Sequence, residues 1–487
     1  MDIIDSKLVM LLKTFSKQEF ERFEKFVYSP FFNSSEQLVT LFKLLKTDHP
    51  EYKILSKEQI FSNFYPGEEY KDKKVRDLLS RMLELAQGFI SQLEFEKNTN
   101  TAAVYAMNQF IERNLERHFK SRFKDSEKRL REEIVIDENY LYSEHMLMKL
   151  NRTHAEIFKN VIYEEELSNI VNSEYQLFLN YVIMNVLSYA LIFSIRRYNI
   201  NNEFNLEFSD MVIRFLDKYP REKYPIITIL RSVLDLQKRD SEPLNDTDTE
   251  IYRHLIKELN DHDASINLSL KRRIFIYLVN YTRIKSLSYN KFFKEEHYRL
   301  LKFSIENDLY PRGGNYFSEA AYVTVASESL INRDFEWAER FIEEFKPRLK
   351  SEVRENAYTL CMANLNYRKG NYEKALKYLV KVSIEDIYYQ LKVKNLQVKI
   401  HYELGEYEMC KSVIDSFRHF LGSAKQFPEF VRIRFVNYVN FTSRMVNVWL
   451  GGDPQNMVEI NREIQEISQE KVESKSWLLA QASKIKY

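Results

Sequence analysis

The chain has 487 residues, of which 9 are Gly and 10 are Pro: 19 of 487, or 3.9%, against a usual share of about 12%. The 72 basic and 71 acidic side chains are interspersed and leave a net charge of +1, so no global field draws nucleic acid, anionic lipid or an acidic substrate. β-Sandwiches, barrels and doubly wound sheets need Gly, Pro, Asn-Gly or Asp-Gly at nearly every turn, and phosphate-cradling loops need clustered glycines, so an all-α protein remains.

Ala is scarce too, at 17 residues. A low-GC genome depresses Gly, Pro and Ala together, so the helical reading has to stand on periodicity. The length fits about three domains of ~150 residues or one elongated array. Cys361 and Cys410 suit a reducing compartment and supply no disulfide framework. The start, Met1-Asp-Ile-Ile-Asp-Ser-Lys7, lacks the basic and apolar regions of a signal peptide. The expected location is cytoplasmic.

Ser16-Lys-Gln-Glu19 and Ser56-Lys-Glu-Gln59 are capping boxes that start helices. After the first, Phe20, Phe23 and Val27 follow at helical spacing, and Pro30 stops the run. Asn33, Ser34 or Ser35 caps the next helix, which carries Leu38, Leu41, Phe42 and Leu45 and ends at His49-Pro50. A long helix from about Lys71 to Glu96 closes an N-terminal helical module, 1–98. A helical middle region, 99–240, reads as divergent helical repeats with polar breaks near Asp137–Asn139 and Asn199–Asn205. Within it Leu177–Ile195 is the most apolar run. Asn180, Asn185, Ser188 and Ser194 interrupt it, so it reads as a buried helix, not a membrane span of ~20 apolar residues. Asp240–Asp248 is the clearest linker. It is acidic, contains Pro243 and lacks the glycine of an EF-hand turn. The last region is 250–487.

An internal repeat is visible beyond residue 315. Asn332–Phe341, Lys369–Tyr378 and Leu404–Val413 align, with an aromatic at Phe335, Tyr372 and Tyr407 and a small residue at Ala338, Ala375 and Cys410. Gly370 and Gly405 suit the tight turn between two antiparallel helices, and Arg333 stands at that position in the first copy. Tyr367, Gly370, Asn371, Tyr372, Ala375 and Leu379 resemble the tetratricopeptide repeat, and Tyr402, Gly405, Tyr407 and Cys410 resemble it less fully. The resemblance covers about 331–420. It implies an α-solenoid of antiparallel helix pairs. Phe15–Phe20 and Ser29–Asn33 also resemble the start of a group of uncharacterised bacterial helical-repeat proteins.

In tetratricopeptide arrays the first helix of each pair lines a groove that holds a peptide. The resemblance therefore implies a partner-binding surface at Asn364, Tyr367 and Arg368 in one unit, and at Lys392, Asn395, Lys399 and Tyr402 in the next. Amide and cationic side chains there suit a peptide backbone and an anionic group. The expected function is a non-enzymatic scaffold or adaptor for a protein or peptide. The alternative is a nucleic-acid- or ribosome-associated factor, because Arg117–Lys124, with Lys128, Arg129 and Arg131, interleaves basic and aromatic residues. Glu112, Glu116, Asp125, Glu127, Glu132 and Glu133 interrupt that stretch at ion-pair spacing, so nucleic acid is not the expected partner. A metal-dependent enzyme ranks third. Glu250, His254, Glu258 and His262 recur every four residues, but a stripe about 18 Å long lets one ion touch only two adjacent members. No catalytic residue, metal or cofactor is expected.

Overall fold

The computed structural model describes residues 3–158, 165–197, 207–219, 223–239, 245–286, 291–310, 312–313, 316–423, 428–453, 455–468 and 471–484. The break Asn199–Asn205 and residues 240–244 of the acidic linker lie outside the described residues. The chain is all-α: among those residues, 23 helices pack as successive pairs in the manner of a solenoid. The extended elements are two-residue strands, β1 Arg312–Gly313 and β2 Tyr316–Phe317, paired antiparallel. The chain divides into two compact units, Met1–Val186 with Phe215–Ile227 and His262–Ile266, and Leu187–Arg214 with Thr228–Asp261 and Asn267–Tyr487.

The first unit opens with α1 Lys7–Leu12, α2 Lys17–Tyr28, α3 Glu36–Thr47, α4 Lys57–Phe64 and α5 Asp72–Lys97. Both capping boxes form: Ser16 and Glu19, and Ser56 and Gln59, exchange side-chain and backbone hydrogen bonds. Their amphipathic faces close on one core in which Phe23, Val27, Leu41, Phe42, Leu45, Val75 and Met82 are wholly buried. Phe23 sits at its centre, 5.6 Å from Phe15, 5.6 Å from Phe42 and 5.3 Å from Phe89, ring to ring. Asn98 caps α6 Thr99–Glu112, so the next helix starts at once. α6, α7 Glu116–Glu132 and α8 Glu138–Phe158 share a second core around Met107, Phe119, Leu130 and Leu150.

α9 Glu165–Arg197 carries the apolar run read as a buried helix. It is long and apolar enough to cross a membrane by length and composition. Ile183, Met184, Leu187, Ala190 and Leu191 are buried, whereas Val171, Tyr175, Phe178 and Tyr189 are exposed. α10 Glu207–Lys218 and α11 Pro225–Lys238 follow.

Next come α12 Asp246–Asp261, α13 Leu268–Ser286 and α14 Lys291–Glu306. The acidic stretch before α12 ends in a buried anchor. Asp248 is fully buried, pairs with Arg239 and lies 3.5 Å from the Lys285 ammonium, which donates to the Arg239 carbonyl at 2.7 Å. Removing one partner of such a cluster strands a buried charge.

The hairpins α15 Glu319–Ile331 with α16 Phe335–Phe345, α17 Ser351–Arg368 with α18 Tyr372–Leu379, and α19 Ile387–Glu403 with α20 Tyr407–Ser423 form the repeat. α21 Glu429–Trp449, α22 Gln455–Glu466 and α23 Lys475–Ala482 complete the unit. Ala338, Ala375 and Cys410 are each wholly buried, where a larger side chain would force the helices apart. The aromatics Tyr372 and Tyr407 meet Tyr367 and Tyr402 of their own first helices, ring centroids 5.8 and 5.6 Å apart.

One joint recurs. Asn114, Asp308, Arg333, Gly370, Gly405 and Gly451 all have positive φ, between 58 and 110°. The next amide in each case reaches back five residues, as in Leu115 to Phe110, Asp334 to Ser329, Asn371 to Asn366 and Glu406 to His401. This bond satisfies an orphan carbonyl at the helix end. Half of these joints carry no glycine, so the glycine count understates how often the chain uses them.

Candidate partner-binding face

The first helices α15, α17 and α19 pack side by side, and α21 reaches α19 through the Trp449–Tyr402 hydrogen bond. Asn364 is partly buried and donates back to the Leu360 carbonyl of its own helix at 3.1 Å. Tyr367 is buried, and Arg368 is exposed with its guanidinium 6.0 Å from the Tyr367 ring. Lys392 is exposed, 5.8 Å from the Tyr389 ring. Asn395 is partly buried, and its Oδ1 lies buried with no hydrogen bond. Tyr402 is buried, and its hydroxyl accepts from Trp449 Nε1 at 2.8 Å. The Lys399 ammonium donates to Ser474 Oγ at 2.7 Å.

The tetratricopeptide resemblance implies that these seven side chains share one open surface. The structure gathers three of them, Tyr367, Lys399 and Tyr402, around a residue distant in the chain, Trp477 of α23. Its indole meets Tyr402 edge to face at 5.3 Å and Tyr438 of α21 at 6.0 Å, and Lys399 Nζ stands 6.0 Å from its ring. Trp477 Nε1 donates to Glu403 Oε1 at 2.9 Å. Gln481 Nε2 and Lys484 Nζ donate to the same carboxylate. Glu403 is the last residue of α19, where the helix dipole disfavours a negative charge, so those donors supply what the helix end does not. Just before α23, Glu473 pairs with Arg434 at 2.7 Å, and Asn437 donates to the Lys471 carbonyl at 2.7 Å. Trp477 lies 74 residues from Glu403, which is why periodicity could not find the pair.

Burial shapes the electrostatics of this cluster. Desolvation pushes the Lys399 ammonium down to about 8, with Glu473 opposing the shift and Arg368 adding to it. Burial also pushes the phenols of Tyr367, Tyr402 and Tyr438 up, so they remain neutral donors and acceptors. The Cys361 and Cys410 thiols are both pushed up to about 12 by desolvation, which keeps them protonated and poor nucleophiles.

Glu250, His254 and Glu258 lie along α12, with His262 just beyond its end, and no group of three or more His, Cys, Asp or Glu among the described residues could hold a metal. In the basic helix α7, Lys120 pairs with Glu116 and Arg131 with Glu127, each at 2.7 Å, while Phe119 faces the core. A cleft of about 790 Å³ with a mixed polar and apolar lining lies between α7, α8 and α9 in the first unit, walled by Phe123, Tyr140, Glu144, Gln176 and Tyr224. Glu144 there accepts from Lys223 and from the Tyr224 hydroxyl, both at 2.7 Å. Comparison with protein-family models, with curated proteins and with solved structures finds no match for this chain.

Proposed function

We propose that the protein is a non-enzymatic scaffold or adaptor, built from tetratricopeptide-like hairpins, that holds a protein or peptide partner on its first-helix face. The observation that carries this reading is the repeat geometry itself. Hairpins each closed by the same turn leave the first helices of neighbouring units adjacent, so side chains from α15, α17 and α19 share one surface. That surface already accommodates a helix carrying an aromatic residue, which is the helix-in-groove mode of recognition. Arg368 and Lys392 stand exposed on the same helices and suit an anionic group of a bound chain.

The test places a photo-crosslinking amino acid at Lys392, and in a second preparation at the exposed Lys374 of α18. A discrete polypeptide captured from position 392, absent from position 374 and lost on Arg368→Glu, is the expected outcome. Capture of RNA in its place would move the reading to a nucleic-acid factor. Equal capture at both positions, or none, would remove it.

A further inference from the structure

α23 packs on α22 and α21 and reaches the face just described through its side chains. The apolar anchors Val472, Leu478 and Ala482 are buried, as any packed helix requires. The polar contacts, however, converge on one acceptor. Trp477, Gln481 and Lys484, at i, i+4 and i+7, form one stripe, and all three donate to Glu403. The segment is short, eight helical residues entered through Ser474 at φ 55°, a left-handed conformation that a serine adopts at a cost. It covers the Lys399 ammonium, which donates to the neutral Ser474 hydroxyl, with Glu473 as the nearby charge that offsets part of the desolvation. Burying that cation opposes docking, and the depressed Lys399 proton affinity records the part that Glu473 leaves uncompensated.

We infer that α23 is an internal occupant of the first-helix face, and that the external partner is a helical segment of the same chemistry: an indole with a cation seven residues on, competing for Glu403. The occupant leaves by local opening and the rest of the unit stays folded. The arriving helix inserts its aromatic ring between Tyr402 and Tyr438 and places its cation on the carboxylate. This inference rests on the reading of the face as the partner site. Its test uses no outside partner, so it succeeds or fails independently of the crosslinking.

The probe is a fluorescein-labelled peptide of residues 471–484, followed by anisotropy with the full chain. Trp477→Ala weakens the occupant, and the peptide binds that variant at least tenfold more tightly than the unaltered chain. Adding Glu403→Gln to the variant lowers peptide binding at least tenfold, because the shared acceptor has lost its charge. Hydrogen exchange on the unaltered chain provides a measurement that needs no variant. The amides of α23 exchange at least tenfold faster than those of α21. If Trp477→Ala melts α17–α20, if the peptide does not discriminate between the chains, or if α23 is as protected as α21, the helix is a fixed structural cap and the inference is overturned.

Discussion

The N-terminal module and the repeat region solve the same packing problem in opposite ways. In the module, α1 packs on α5 across some sixty residues of sequence, and five helices share a single core centred on Phe23. In the repeat region the cores form a relay. One runs from Leu301 to Leu365, the next from Leu360 to Ile400, and the last from Leu391 to Ala482. Each hairpin is therefore stabilised by its neighbours, and damage at one joint spreads only to the adjoining helices. The module has one cooperative core, so damage anywhere in it is felt throughout. A surface whose elements open separately can exchange one helix for another, which a single closed core cannot do.

The largest expected effect tests the module side of that contrast. Phe23→Ala deletes a ring that three others touch and should cost about 3–5 kcal/mol. Hydrogen exchange should then rise together across α1–α5 and stay unchanged in α17–α20. A rise in both regions would break the distinction. Ala375→Leu tests the other side: overpacking the wholly buried contact of α17 with α18 should cost about 1–3 kcal/mol. Faster exchange should be confined to α17–α19.

A smaller effect comes from Lys399. Its folded-state value of about 8 lies below the ordinary 10.5, so below pH 8 the ammonium is charged in both states and the folded state carries the whole penalty. Between pH 8 and 10.5 the folded state loses this proton first, and the stability contribution rises with pH. Lys399→Met should therefore raise stability at pH 7 by about 1–2 kcal/mol, discounted for partial exposure. It should also flatten the rise in Tm between pH 7 and 9.5. A variant that melts earlier at pH 7 would show that the Ser474 contact outweighs desolvation. The smallest effect is at a joint. Arg333→Gly relieves a left-handed arginine at φ 61° and should add about 0.5–1 kcal/mol, read as a higher denaturant midpoint with an unchanged slope.

Much of the helical organisation was legible because it is written locally. The capping boxes at Ser16 and Ser56, the aromatic and small residues of the repeat, and the turns at Gly370 and Gly405 each depend on residues within one or two turns of each other. The same logic placed Arg333 at its turn but missed Asn114 and Asp308. Their backbone enters the left-handed region in the same local helix-end bond, without the glycine that would advertise it. It also read Asp240–Asp248 as an acidic linker, whereas Asp248 lies in the first turn of α12 as a buried anchor between Arg239 and Lys285.

The candidate face shows the same boundary more sharply. The resemblance of the Gly370 and Gly405 turns to the tetratricopeptide repeat placed Tyr367, Lys399 and Tyr402 on first helices, because those turns are local features of contiguous chain. That they surround Trp477, and that Glu403 gathers three donors from residues 477–484, follows from the path of the chain after α22, which no local period encodes. The sequence by itself determined an all-α chain with a repeating hairpin and a sparingly punctuated backbone, because caps, turns and periodicity are short-range. Only the tertiary structure decided which of those helices lies against the first-helix face, because that depends on burial and charge pairing between residues more than seventy positions apart.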